Sequence, residues 1–494
     1  MKSNLLKLLS AFGAGLLTNA AFEPGGVFPL VFVTLAVLFW IWSESSARIC
    51  AWSGFVFALG FYGFGIHWIY NSLHDFGGAP PGLAGFMVFA LACFLSLLVA
   101  AGGFLQARLR ISGTLRCLAV IPAVWVAVEW IRSWILTGFP WLYVGYSQTD
   151  SWLAGWAPIL GVLGVSFMVC LIAGFLVHSY RTGFRIDVMV LTLAVALAGL
   201  WGRTIDWTSE THPPINVAIV QADVDILDKW NFNNARSHLD FFVAQTAALV
   251  NQDLVLWPEI AIVQTDRRLD KLKLWRLLES LAPDVLVGVV EEQQIDDRTV
   301  HYNSAFGISD DVHKYRKRHL VPFGEFIPFR SLLGWLNNYI EIPESDFTSY
   351  DGIQPPLVLA GQPAAISICY EDAFPLEFFQ VLPEATYLVN LSEDAWFGDR
   401  LAPFQRLQMS RMRAIEAARP LLRAANKGIS AAVDHKGNVV AQLMQDEGKV
   451  LKTQITPKSG STPYVRFGNV PVLLLCVISF ALALVRRRPA REAG

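Results

Sequence analysis

"AISICYEDAFP" (364–374) sets one thiol, Cys369, between the run "AISI" and two acids, Glu371 and Asp372. The first five residues read as a strand, and "YEDAFPLEFF" (370–379) reads as a turn entering a helix. A thiol at such an elbow faces the positive end of a helix dipole, which favours thiolate. The two carboxylates oppose that unless a cation stands between the charges. The elbow therefore raises two questions: which sheet the strand joins, and which cation reaches the sulfur.

Outward from the elbow, short β-rich runs recur between helical stretches. "INVAIVQADV" (215–224), "DLVLWPEIAI" (253–262), "DVLVGVVEE" (284–292) and "HYNSAFGIS" (301–309) precede it, and "TYLVNLSED" (386–394) and "GISAAVD" (428–434) follow. Helical patterns fall between, as in "RRLDKLKLWRLLESLA" (267–282) and "PFQRLQMSRMRAIEAA" (403–418). Strands alternating with helices predict an α/β domain with buried sheets, whose functional groups collect where strands end. Glu259, Lys317 and Cys369 lie at such ends.

The flanks are different. Of 494 residues, 54% are hydrophobic and 16% charged, too apolar for one soluble globule. A spanning helix needs about 20 mostly apolar residues. Spans are predicted near 5–21, 27–43, 50–70, 82–105, 117–136, 153–177, 187–203 and 468–485. "FEPGG" follows the first run where a cleaved leader would have small residues, so that run reads as a helix. The expected organisation is a membrane domain of seven helices (1–203), an α/β domain (204–465) and a final helix with a basic tail (466–494).

Lysine and arginine placement orients the chain. Lys2, Lys7, Arg48, Arg108, Arg110, Arg116, Arg181, Arg185 and Arg486 to Arg488 fall on one side. On the other, "FEPGG" and "NSLHDFGGAPPG" carry none, and the loop after the fifth span carries Arg132. Both termini are then cytoplasmic and 204–465 faces outward. Five of the six cysteines lie in or at the ends of spans, where a thiol is ordinary packing; Cys369 does not. A net charge of −2 without a basic stripe argues against nucleic acid, and no HExxH, CxxC or phosphate-binding loop is present.

Each candidate has two readings. Glu259, ending "LVLWPE", is a general base with its pKa raised by apolar surroundings, or a strand-end acid in solvent. Lys314, Arg316, Lys317 and Arg318 form a solvated basic face, or one turns inward from a rigid loop before "LVPFGEFIP"; the run itself does not say which.

Taken together, "WPE", "K…LVPFGE", "CYED" and "NLSEDAWFG" resemble the blocks of the carbon–nitrogen hydrolase (nitrilase) superfamily, in its chain order. That resemblance implies an α-β-β-α sandwich with a Glu–Lys–Cys triad. The membrane half, with "GFPWLYVGYSQ" (138–148), "QMSRMRAIEAARPLLRAANKG" (408–428) and "TPYVRFGN" (462–469), narrows it to the apolipoprotein N-acyltransferase family. The family's implied activity is transfer of an acyl chain from a phospholipid to the α-amino group of a diacylglyceryl-cysteine lipoprotein, in the bacterial inner membrane.

By that resemblance Cys369 is the nucleophile that forms a thioester, Glu259 the base, and Lys317 the oxyanion partner. Glu325 and Glu371 are supporting acids, and Tyr370 shapes the site. Trp230, Trp396 and Phe397 lie on loops over the acyl pocket or are ordinary packing. The implied partners are a phospholipid donor, a diacylated lipoprotein acceptor and the bilayer, with a monomeric enzyme and no cofactor. "ANKG" (425–428) departs from the family in having Lys427 where asparagine is expected. "GFYGFGIHWIY" (60–70) lines a lateral entrance, or packs helices through small residues. The alternatives are a membrane-anchored amidase or nitrilase-type hydrolase with the same triad, a transporter or scaffold with a dead outer domain, and a Cys–His site using His301, His313 or His319.

Overall fold

The computed structural model describes residues 2–485 except 110, 112, 184–185, 232, 264–270, 282, 336–338, 340–346, 399–400 and 446. Arg110, Arg185, Arg486 to Arg488 and part of the expected helix 267–282 lie outside the described residues. The chain divides into two compact units, one of Met1–His67, Gly85–Ile205 and Arg466–Gly494, the other of Trp68–Ala84 and Asp206–Val465.

The first unit is helical. Each predicted apolar run contains a helix: Lys2–Thr18, Leu30–Glu44, Ala47–Gly65, Pro81–Arg108, Ile121–Arg132, Ala157–Thr182, Ile186–Gly202 and Val470–Val485. Ala47–Gly65, Pro81–Arg108 and Trp152–Thr182 are long and apolar enough to cross a membrane, while Leu30–Glu44, Ile186–Gly202 and Val470–Val485 are apolar but shorter. Leu97, Leu193, Leu197, Val477 and Ile478 are more than half exposed, as a lipid-facing surface requires.

The span placed at 50–70 closes at Gly65, and Trp68 onward packs with the α/β unit through polar partners described below. A Cβ on Gly60 would lie 2.7 Å from the Phe12 carbonyl, and one on Gly65 2.5 Å from Asn19 Oδ1. Gly60 thus brings two helix backbones together, as the packing reading of this stretch requires, whereas a Cβ on Gly63 would meet nothing within 4 Å.

The second unit contains fourteen strands among the described residues. These are β1 Thr208–Glu210, β2 Ile215–Val220, β3 Leu254–Leu256, β4 Asp284–Ile295, β5 Arg298–Ile308, β6 Val312–Arg316 and β7 Leu357–Leu359, followed by β8 Gln362–Ile368, β9 Tyr387–Ser392, β10 Leu421–Ala425, β11 Ser430–Val433, β12 Val439–Leu443, β13 Val450–Ile455 and β14 Lys458–Gly460. One six-stranded sheet has the order β13-β2-β3-β4-β5-β6, the other β12-β11-β10-β9-β8-β7, and β1 pairs with β14. Each large sheet has a parallel centre, β2-β3-β4 or β8-β9-β10, with antiparallel edges.

Alternation along the strands builds three apolar layers. Val217 and Ile219 point between the sheets, where they meet Ile366, Ile368, Val389 and Leu391. Ala218 and Val220 point outward beneath Leu239 and Phe242 of the helix Ala235–Ala247, with Leu274 and Leu278 of the helix Lys271–Glu279. On the opposite face, Leu388 and Leu421 lie beneath Leu407 and Ala414 of the helix Ala402–Ala417. The result is an α-β-β-α sandwich, the architecture that the resemblance implies. Glu259 follows β3 and Cys369 follows β8, both at the carboxyl ends of parallel strands.

Candidate active site

Lys317 is the first residue after β6, and strand alternation selects it from the basic run. Lys314 and Arg316, two apart, both reach Glu291, at 2.9 and 2.7 Å. Tyr315 and Lys317 therefore face the opposite way. The Tyr315 hydroxyl donates to Glu371 Oε2 at 3.0 Å, and Lys317 Nζ donates to Glu325 Oε1 at 2.8 Å and Glu259 Oε1 at 3.3 Å. The basic segment is thus an edge strand rather than a loop as expected, because Arg316, Tyr315 and Lys314 pair with β5. Burial works against the Lys317 charge, but Glu325, Glu259 and Cys369 outweigh it and hold the pKa well above the usual lysine value.

Glu259 is buried, and its two oxygens are treated differently. Oε1 accepts from Lys317 and, at 2.8 Å, from Asn303 Nδ2, which also donates to Glu325 at 3.0 Å. Oε2 is buried and has no hydrogen-bond partner among the described residues. The segment bearing Glu259 crosses close over β4, where a Cβ on Gly288 would lie 2.6 Å from the Ile260 nitrogen. Lys229 Nζ fastens the same segment, donating to the Glu259 carbonyl at 2.9 Å and to Glu393 Oε2 at 2.6 Å.

Cys369 adopts φ +51°, a strained conformation for a residue with a side chain, and the surroundings enforce it. Its carbonyl accepts from Asn390 Nδ2 at 3.1 Å and Arg406 Nη2 at 2.8 Å. Glu371 Oε2 accepts the Ile368 N–H at 2.7 Å, and Oε1 accepts those of Arg318 and His319 at 2.7 and 3.2 Å. Burial raises the Glu371 pKa to about 7, with these N–H groups pulling it back.

The expectation that the elbow favours thiolate is overturned. A five-residue 3-10 turn, Cys369–Ala373, a four-residue helix, Pro375–Phe378, and a three-residue 3-10 turn, Phe379–Val381, follow the sulfur, too little regular helix for a dipole. Burial first, then Glu259, push the thiol up to about 12, against the pull of Arg406 and Lys317. The adjacent acids are occupied elsewhere. Glu371 serves main-chain donors and Tyr315, while Asp372 accepts from Ser410 at 2.6 Å and pairs with Arg406 at 3.3 Å and Arg423 at 3.5 Å.

Tyr370 is buried edge-on to Phe374, 5.1 Å between ring centroids. Trp396 and Phe397 form a short 3-10 turn that packs on segment 68–76 of the same unit. Phe397 meets Trp68 at 4.7 Å and Trp396 meets Phe76 at 5.9 Å, with Ser72 Oγ donating to the Trp396 carbonyl at 2.6 Å. Trp230, half-buried, packs instead with Ile260, Val263 and Leu320. His319 stacks on Phe374 and pairs with Glu377 at 3.1 Å, and His301 lies 4.0 Å from Glu292. Lys427 reaches Asp225 in an ion pair. Among the described residues, no group of three or more His, Cys, Asp or Glu is placed to hold a metal ion.

Sequence reasoning missed Asn303, Lys229, Glu393 and above all Arg406. The Arg406 guanidinium donates to Cys369 Sγ at 3.3 Å and is buried. Its only advance signal is an arginine among the apolar positions of the 403–418 helix.

Two family models match the chain: Apolipoprotein N-acyltransferase N-terminal domain over residues 14–175, and Carbon-nitrogen hydrolase over residues 216–464. The apolipoprotein N-acyltransferase of Chromobacterium violaceum is 38% identical over 494 residues, covering 98% of this chain and 95% of its own. That of Nitrosomonas europaea is 37% identical over 483 residues, covering 95% of each chain. That of Methylococcus capsulatus is 36% identical over 489 residues, covering 97% of this chain and 96% of its own.

Proposed function

The chain belongs to the apolipoprotein N-acyltransferase family and is an acyltransferase, and from that premise we propose that it moves a fatty acyl chain from a membrane phospholipid to the α-amino group of a diacylated lipoprotein through a thioester on Cys369. The observation that carries the chemistry is the open acceptor on Glu259. Lys317 and Asn303 occupy Oε1, while Oε2 is buried without a donor among the described residues and can take a proton. A thiol raised to about 12 rests protonated at neutral pH, so attack requires that base.

In the first half-reaction Glu259 takes the Sγ proton and sulfur attacks the ester carbonyl. Lys317 and main-chain N–H groups beyond Cys369 hold the oxyanion. Collapse expels the lysophospholipid alkoxide, which receives the proton from Glu259. In the second, the lipoprotein amine attacks the thioester and gives its proton to Glu259. The C–N bond forms, the C–S bond breaks with its electron pair on sulfur, and the proton returns to the thiol. The expected kinetics are ping-pong.

The membrane frame follows from the substrates. Extracting an acyl chain into water costs about 0.8 kcal/mol per CH₂, which a site at the bilayer surface avoids. In this reading eight helices cross the bacterial inner membrane, seven in 1–203 and one in 466–494. The termini are cytoplasmic, and 204–465 is a periplasmic catalytic domain acting as a monomer. Tyr370, Trp230, Trp396 and Phe397 shape its acyl pocket, and Glu325 and Glu371 position Lys317 and the elbow.

The test is to incubate the purified chain with phospholipid vesicles and a diacylated lipopeptide. The expected result is a triacylated peptide, with acyl-enzyme mass seen in wild type and absent in Cys369→Ala. Free fatty acid without triacylated product would make the protein a hydrolase instead.

A further inference from the structure

Four charged groups act on the Cys369 sulfur from separate elements: Glu259 after β3, Lys317 after β6, Asp394 after β9 and Arg406 on the helix Ala402–Ala417. Of the two cations, Lys317 is already engaged by Glu325 and Glu259. Arg406 is the one that, among the described residues, hydrogen-bonds the sulfur itself, Nη1 donating to Sγ at 3.3 Å.

Its placement is fixed on every side. Nη2 donates to the Cys369 carbonyl at 2.8 Å and faces Asp372 Oδ1 at 3.3 Å, while Nε lies 3.7 Å from Asp394 Oδ1. Those carboxylates are themselves held by Arg423, which pairs with Asp394 at 2.7 Å, and by Ser410. A guanidinium so held cannot swing away when the sulfur changes charge. Buried ion pairs are weak evidence of stabilisation alone, and nothing in this one requires a donor aimed at a thiol.

We propose that Arg406 is a catalytic residue that carries the Cys369 thiolate, so that the two cations divide the chemistry: Lys317 serves the substrate oxygen and Arg406 the sulfur. This rests on Cys369 being the nucleophile. Negative charge sits on sulfur twice per cycle. It appears first when Glu259 removes the proton, and again when the C–S bond breaks and its electron pair stays on sulfur. A charge-assisted N–H···S contact in a water-poor site stabilises both moments. The cation remains charged across the working pH range because a guanidinium does not titrate there.

The test is alkylation of Cys369 by iodoacetamide, a neutral reagent, in the full chain in detergent across pH 6–10, followed by acyl-enzyme formation from phospholipid. In Arg406→Gln, alkylation at pH 8 should fall at least about tenfold, the pH profile should move upward by about one unit, and acyl-enzyme formation should slow in parallel. Arg406→Lys keeps the charge against Asp372 and Asp394 but draws it back from the sulfur, and should slow alkylation about threefold. If Arg406→Gln does not fold, Arg406→Lys decides. Wild-type alkylation and acylation rates in a folded variant of either kind would overturn the inference. Cys369→Ala separates it from the reading beneath: persistent acyl transfer there removes the nucleophile itself, whereas an inactive Cys369→Ala with normal Arg406 variants removes only the role of Arg406.

Discussion

The Lys229 ammonium donates to the main-chain carbonyl of Glu259 at 2.9 Å, so the proposed base is held by its backbone as well as by its side chain. The same ammonium neutralises buried Glu393 at 2.6 Å. Removing one partner of a buried pair leaves the other charge uncompensated, typically about 3–5 kcal/mol. Lys229→Met should therefore lower the melting temperature and kcat together. Lys229→Met with Glu393→Gln should recover most of the stability but not the turnover, since the Glu259 carbonyl still lacks its donor. Full recovery of both would mean that Lys229 only balances charge.

Gly288 makes room for the same segment. A Cβ there would lie 2.6 Å from the Ile260 nitrogen and 2.7 Å from the Glu259 Cα, both backbone atoms with little freedom to yield. Gly288→Ala should displace Glu259 and reduce kcat/KM at least about tenfold, while overpacking lowers stability by about 1–3 kcal/mol. Acyl-enzyme formation followed by mass reads the first effect and thermal melting the second. Wild-type acylation in a folded Gly288→Ala would show that Glu259 need not sit where the glycine lets it.

Glu291 makes the fold acid-sensitive. Burial alone would raise its pKa, but hydrogen bonds from Arg316 and Lys314 overcome that and bring it to about 2. A folded pKa below the unfolded value means stability that is complete above about pH 4.5 and lost as pH falls toward 2. With Lys314 half exposed and screened, the contribution is about 1–2 kcal/mol. Glu291→Gln should be less stable at neutral pH and show a flatter decline between pH 4.5 and 2 in denaturant titrations. An unchanged slope would place the acid sensitivity elsewhere.

The alternating strands and helices were legible because the central strands, buried on both faces, read as short β-rich apolar runs between helical stretches. Glu259 stood out by its apolar, proline-framed setting, whereas Glu325 and the choice of Lys317 came from the family resemblance; the three share one hydrogen-bonded cluster with Asn303. Which cation turns inward was not legible, because it depends on the pairing of β6 with β5 and on Glu291 taking Arg316 to the other face. Arg406 was invisible for a similar reason: helical spacing puts it on a buried face, but only packing puts that face under a thiol. The elbow misled in the other direction: "YEDAFPLEFF" does hold a turn entering a helix, but that helix, Pro375–Phe378, is too short to bring a dipole to the sulfur.

The aromatic loop should bear on substrate handling more than on sulfur chemistry. Phe397 packs edge-on to Trp68, and Asn71 Nδ2 donates to the Phe397 carbonyl at 3.3 Å. Phe397→Ala removes the ring contact, worth about 0.5–1.5 kcal/mol beyond its buried area, and loosens the turn without touching the Glu259–Lys317 cluster. The expected result is an increased KM for lipid substrates with iodoacetamide alkylation of Cys369 unchanged. Altered alkylation would place the ring's influence on the nucleophile.

Arg132, read from sequence as the lone cation of an outward loop, is instead the final residue of the helix Ile121–Arg132. It is fully buried, its guanidinium 4.8 Å from the Tyr62 ring centroid and 5.0 Å from that of Tyr143, and it donates to the Trp141 carbonyl at 3.0 Å. A buried arginine does not count as a loop charge, so the short loops between the first seven helices carry their lysines and arginines on one side. The domain 204–465 should then face the periplasm. Val440 in β12 is 58% exposed and accepts a cysteine without disturbing the core. With the unsubstituted chain as control, Val440→Cys should react with a membrane-impermeant maleimide in intact spheroplasts. Labelling that appears only after lysis would put the catalytic unit on the cytoplasmic side and break the proposed route from phospholipid to lipoprotein.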